Sequence, residues 1–272
     1  MSINSIKDNS YVLAVGEQDR ERLTILNDIY GEASRSFLES VFARIPHPSV
    51  LCDIGCGHGH ISRFIAKTFK KSEVIGIDQS ERQLSEAQRL LDLEGLTNVQ
   101  LSLPDNKDLI GIADFCYSRF VLMHQSEPRK LIENIKKIGN PAAYFVFEEP
   151  SLKDVISYPY RESVFRANEL TLTLGKQKKI NYSYADGIIS DIGHYFRIFD
   201  INVVQPYLSN ARKKSIIYLS LMQIAEELIT KNLSTKTEID ALITDLKGFS
   251  RDEKSICSGL KIYQIFASNH QI

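Results

Sequence analysis

Short apolar runs alternate along this chain with stretches whose apolar residues return every three or four positions. Val50–Asp53, Val74–Ile77, Val99–Ser102, Asp114–Ser118 and Ala142–Phe147 have the length and content of buried strands. Between them run the stripes Ile61, Phe64, Ile65 and Phe69; Leu84, Ala87, Leu90 and Leu91; and Leu131, Ile132, Ile135 and Ile138. Each predicts a helix with one buried face. Upstream, residues 18–46 read as two amphipathic helices, the second carrying Phe37, Leu38, Val41, Phe42 and Ile45 and ending at Pro46 and Pro48. After Pro150 the rhythm changes: residues 151–197 are helical in pattern and rich in tyrosine. Strands near Ile201–Gln205 and Lys261–Ala267 then flank helices at about 212–231 and 235–247. Ser80-Glu-Arg-Gln83 and Thr235-Lys-Thr-Glu238 have the form of helix-starting capping boxes. Strands alternating with helices predict an α/β class, a doubly wound and mostly parallel seven-stranded sheet with N-terminal helices and a helical cap after the fifth strand.

Composition changes this picture little. The 272 residues are 43% hydrophobic and 25% charged with a formal net charge of −1, an ordinary globular balance that argues against a nucleic-acid partner. Cys52, Cys56, Cys116 and Cys257 lack paired metal or redox spacing and fit reduced thiols. The first ten residues lack the apolar core of a signal peptide, and no apolar run is long enough to span a membrane. The expectation is a cytoplasmic protein without a membrane anchor, a monomer or a homodimer. One chain-length unit is expected, divided into N-terminal helices (1–46), a cofactor-binding core (47–150), a cap (151–197) and closing strands and helices (198–272).

The chemistry concentrates in Val50-Leu51-Cys52-Asp53-Ile54-Gly55-Cys56-Gly57-His58-Gly59, a strand running into a loop with glycine at every second position. Glycine there lets a ligand lie against the backbone and permits positive φ. The helix that follows offers unpaired N–H groups and a positive dipole end to an anionic group. The glycine spacing departs from the dinucleotide fingerprint, since position 60 is His and the third glycine is Gly59. Asp53 is placed to meet an ammonium group, and Asp78, ending the next strand, to accept both hydroxyls of a ribose.

Asp53-x-Gly55-x-Gly57-x-Gly59 with Asp78 resembles the cofactor motif of class I S-adenosylmethionine-dependent methyltransferases. Asn98-Val-Gln-Leu-Ser-Leu-Pro-Asp105-Asn106 is similar to that family's adenine-binding segment, with Pro104 where a glycine is usual. Ala113 to His124 resembles its fourth strand and following loop, and Lys136-Lys-Ile-Gly-Asn-Pro141 stands at its turn before the fifth strand. Tyr11 to Gly16 is similar to an N-terminal segment of the branch holding quinone-biosynthesis and natural-product enzymes, in which the tyrosine closes over the cofactor. The resemblance implies S-adenosylmethionine as methyl donor, held by Tyr11, Asp53, Gly55, Cys56, Gly57, Asp78, Gln79, Asp105, Asn106, Ser118 and Arg119. It implies transfer to O, N or C of a small molecule. A methyltransferase acting on RNA or protein, and a methyltransferase-like scaffold without turnover, stay open as alternatives.

Candidates for a general base are His124 and Glu148, with Glu149 and His194 behind them, each of which could equally pack or cap. His58 and His60, two apart in a loop, lack a metal-ligand pattern, and no metal is expected.

Overall fold

The fold is described from a computed structural model over residues 17–269, with side chains from residue 20. The first half alternates as α1 (Glu17–Phe42), β1 (Val50–Ile54), α2 (His60–Thr68), β2 (Glu73–Ile77), α3 (Glu81–Glu94), β3 (Val99–Ser102), β4 (Ala113–Arg119), α4 (Pro128–Ile138) and β5 (Gly139–Ser151). The second half follows as β6 (Ser157–Tyr158), α5 (Glu162–Gln177), α6 (Ala185–Tyr195), β7 (Arg197–Val204), β8 (Tyr207–Leu208), α7 (Ala211–Lys214), α8 (Ile216–Thr230), α9 (Lys236–Arg251), β9 (Ile256–Ser258) and β10 (Lys261–Ser268).

Seven strands form the main sheet in the order β3-β2-β1-β4-β5-β10-β7. The first five are parallel, and β10 runs antiparallel between β5 and β7. This is the doubly wound, mostly parallel sheet that the strand and helix rhythm predicts. Strand order reverses between β1 and β4, and ligands in open sheets bind outside the strand C-termini at such a switch point. A separate antiparallel sheet, β6-β9-β8, was not foreseen, since strands of two or three residues carry no readable period.

One sheet face is covered by α4 and α6, where Leu131, Ile135, Ile188 and Ile192 meet Phe145 and Phe147. On the other face, Phe37, Leu38 and Val41 of α1 and Ile61 and Ile65 of α2 pack over Leu51, Tyr117 and Val146. A third core lies off the sheet and joins Ile25, Ile29 and Tyr30 of α1 to α5, α8 and α9.

Two expectations are corrected. The segment 18–46 holds one helix rather than two, because the buried stripe Ile25, Ile29, Phe37, Leu38 and Val41 continues past Gly31 without a break. The cap is not residues 151–197: α6 packs on the sheet, while α8 and α9 from the closing segment join α5. Apolar periodicity shows which face is buried and leaves the partner unspecified. Both helix starts carry the N-cap bond, Ser80 Oγ accepting from the Gln83 N–H at 3.3 Å and Thr235 Oγ1 from the Glu238 N–H at 3.1 Å, while the Ser80 N–H donates to Asp78 instead of closing the box with Gln83. Among the described residues no helix is long and apolar enough to cross a membrane.

Candidate functional site

The loop after β1 bends where its glycines allow. Gly55, Gly57 and Gly59 have φ of +73°, +54° and +68°, values that L side chains rarely adopt. A Cβ on Gly55 would stand 2.2 Å from Val121 Cγ2, so any side chain there would have to displace the valine after β4. The Gly55 and Cys56 N–H groups both donate to the Ile77 carbonyl, at 2.7 and 3.0 Å, which ties the bend to the end of β2. There Asp78 accepts from the Gly57 N–H and the Ser80 N–H, each at 2.9 Å.

Two adjoining crevices open beside this loop. Arg22, Asp53, Cys56, Gly57, Asp78, Gln83, Arg119 and His124 are among the residues lining the first, and Gly55, Asp78, Gln79, Pro104, Val121 and His124 among those lining the second. Asp53 is buried, accepts from Ser62 Oγ at 2.5 Å, and is pushed up to about 6 by burial, against the pull of that bond and of the Arg119 charge. Cys56 is a packing residue whose thiol burial pushes well up. His60 Nδ1 lies 2.9 Å from Arg63 Nη2, and burial holds this histidine down to about 4.

The remaining sequence candidates divide. Ser118 is buried within β4 and lines neither crevice. Asp105 is exposed and lines neither, because the buried ring of Pro104 takes the crevice position. Asn106 instead caps a short 3-10 turn, its Oδ1 accepting from the Asp108 N–H at 3.0 Å. Tyr11 falls outside the described residues.

Glu148 lies inside the sheet, fully buried, and lines none of the crevices. Its Oε2 accepts from Ser34 Oγ at 2.7 Å, and the same hydroxyl accepts from Arg119 Nη1 at 3.1 Å. Glu148 therefore braces Arg119 from behind instead of meeting a substrate, and burial raises its pKa. Glu149 caps the turn Leu122–His124, accepting from the N–H groups of Val121, Leu122 and Met123 at 2.8, 2.8 and 3.0 Å. Burial pushes it up to about 7 against those three donors. His194 packs edge-on against Tyr195 on α6, away from the glycine loop.

His124 alone of the base candidates reaches the crevices. Its ring meets Tyr182 edge to face with centroids 5.7 Å apart, and burial together with the Arg22 charge holds it down to about 3. On its other side lies a chamber between α1, α5 and α8. Arg22, Leu26, Phe120 and His124 line both this chamber and the first crevice. Arg22 was missed by sequence reasoning, although it shares the α1 stripe with Leu26 and Ile29, where a buried arginine is unusual.

The glycine bend at the switch point, Asp78 after β2, and Asp53 and Arg119 thus share one crevice. Residues 48–187 match the family described as methyltransferase domain, half of the chain, and the protein belongs to that family, whose class I members use S-adenosylmethionine. Trans-aconitate 2-methyltransferase of Deinococcus radiodurans is 26% identical over 138 residues, 51% of each chain. The chain thus spans about half the length of that curated relative. The crystal structure of YcgJ from Bacillus subtilis shares the fold at TM-score 0.58 and 16% identity, over 88% of this chain and all of that one. So does the [4+2]-cyclase SpnF, at TM-score 0.54 and 16% identity, over 92% of this chain and 93% of that one.

The residues present fit the donor. The bend turns through positive φ at Gly55, Gly57 and Gly59, and Asp53, Asp78 and Arg119 offer charges of the signs its ammonium, sugar hydroxyls and carboxylate require.

Proposed function

We propose that this chain transfers a methyl group from S-adenosylmethionine to O, N or C of a small-molecule acceptor seated in the chamber under α5 and α8. The observation that carries this reading is the shared wall: Arg22, Leu26, Phe120 and His124 face the donor crevice on one side and the chamber on the other. When bound, S-adenosylmethionine supplies an electrophilic methyl on a sulfonium.

The chain's own residues then mainly hold and exclude. Gly55 and Gly57 let the donor lie against the backbone, Asp78 takes its ribose, and Asp53 and Arg119 take its amino-acid end. Phe120 and the chamber walls keep water from the line between acceptor atom and methyl. Positioning of that kind supplies roughly 7–11 kcal/mol in favourable intramolecular models. His124, neutral at physiological pH and hard to protonate, shapes the boundary more effectively than it could serve as a proton sink.

Calorimetric titration with S-adenosylmethionine tests the donor, with micromolar binding expected and none refuting it. A screen for S-adenosylhomocysteine release across metabolite pools, trans-aconitate among them, tests turnover. Release with no pool, despite donor binding, would favour a scaffold.

A further inference from the structure

Phe120 holds an unusual backbone conformation. Its φ is +59°, in the left-handed region where Cβ crowds the following carbonyl oxygen and where a bulky residue is an outlier. Among the described residues three other non-glycine residues have positive φ, Asp154, Lys179 and Asn232, and all three are polar and exposed. Phe120 is instead half-buried, and it lines both crevices and the chamber. Its N–H donates to the Glu148 carbonyl at 2.9 Å, and the next three N–H groups all meet the Glu149 carboxylate, so the chain is fixed on both sides of the strained residue. Glycine or asparagine would adopt this φ at less cost, so what the strain secures here is a ring. Strain that its surroundings over-determine points to function.

We propose, building on the reading above, that the Phe120 ring touches the donor's sulfonium and turns its methyl toward the chamber. Covalent order places the sulfur between the amino-acid end, assigned to Asp53 and Arg119, and the ribose, assigned to Asp78. Phe120 adjoins that interval. It follows Arg119 directly, lines the crevice on either side of Gly55, and is followed by Val121, the residue that abuts the glycine bend. Transfer requires the methyl to face the chamber, and Phe120 is one of the residues that border both spaces.

The chemistry suits a sulfonium. An aromatic face carries partial negative charge and attracts a cation without a counter-ion and without a proton to exchange. The ring already stands near one cation, with the Arg119 guanidinium carbon 5.9 Å from its centroid. With the donor's carboxylate on Arg119, that charge is matched and the sulfonium is the cation left for the ring. Tyr30, a chamber residue, meets Phe120 edge to face with centroids 5.4 Å apart and holds its orientation. S-adenosylhomocysteine has the same skeleton with a neutral thioether, so this contact distinguishes the donor from the spent product.

The test is calorimetric titration of the full chain with S-adenosylmethionine and, separately, with S-adenosylhomocysteine. Phe120→Leu keeps an apolar side chain and removes the ring; it should weaken S-adenosylmethionine by about threefold or more while S-adenosylhomocysteine changes less than about twofold. Phe120→Tyr keeps a ring face and should retain the wild-type ratio of the two affinities. Replacing Phe120 by a ring-fluorinated phenylalanine preserves the shape and drains the face, should weaken S-adenosylmethionine selectively as well, and carries the test if Phe120→Leu fails to fold. Equal weakening of both compounds would overturn the proposal by making Phe120 a packing residue, and no weakening of either would place the ring away from the sulfur. If the wild-type chain does not bind S-adenosylmethionine at all, the underlying reading has failed instead.

Discussion

Ser34 on α1 donates to Glu148 on β5 at 2.7 Å, a buried hydrogen bond between residues 114 positions apart. The same hydroxyl accepts from Arg119, so one small side chain sits between a buried carboxylate and the guanidinium at the crevice wall. Removing it in Ser34→Ala leaves Glu148 short of a donor in a dry setting, and a loss of about 1–3 kcal/mol is expected in urea denaturation. Weaker S-adenosylmethionine binding should accompany it, as Arg119 loses its brace.

Asp78 joins the glycine bend to the start of α3 through the Gly57 and Ser80 N–H groups. Asp78→Ala should weaken S-adenosylmethionine binding by on the order of 1–3 kcal/mol. Unchanged affinity by calorimetry would count against the ribose assignment.

Gly55→Ala combines a positive φ with a 2.2 Å approach to Val121. A cost of about 1–3 kcal/mol in stability is expected from backbone strain, before the bend's displacement is added. Gly55→Ala with Val121→Ala should recover the steric part in thermal melts and leave the φ penalty.

His124 is held down to about 3 in the fold and has an ordinary value of 6.5. Between those values the unfolded chain binds the extra proton, so stability from this group rises with pH across about 3 to 6.5 and is level above it, by up to about 1.4 kcal/mol per unit. Subtracting His124→Gln denaturation free energies from those of the wild type over that range should give a rising line. A flat difference would show that the ring titrates normally.

Glu149 works in the opposite sense. Its carboxyl is pushed up from 4.5 to about 7, so the folded chain holds the proton longer and this contribution falls as pH rises from about 4.5 to 7. Glu149→Gln should remove that decline. Below about pH 4.5 it should lower stability by about 1–3 kcal/mol, because an amide replaces the carboxyl that meets three N–H groups, and the gap should narrow or reverse toward pH 7.

The main sheet was legible because each of its parallel strands is a run of apolar residues bounded by turns, and the doubly wound order follows from strands alternating with helices. The glycine bend and Asp78 were legible for a similar reason, since spacing alone places them at neighbouring strand ends. Asp105 shows where spacing stops: Pro104 one position earlier lines the crevice, while Asp105 is exposed and does not line it. Glu148 and Glu149 could not be separated from catalytic acids by sequence, because what buries them comes from α1 and from the turn after β4. Arg22 and the chamber depend on how α1, α5 and α8 meet, and no local pattern encodes that.

The long first helix has a consequence for dissecting the protein. Its early turns belong to the chamber and its late turns to the sheet, where Phe37, Leu38 and Val41 cover Leu51 and Val146. Excising residues 48–187 would strip that cover and remove β10, which pairs with β5 from Lys261 to Ser268. The excised piece would present a bare greasy sheet face and a long open strand edge, and would aggregate. Recombinant work on donor binding therefore calls for the entire polypeptide.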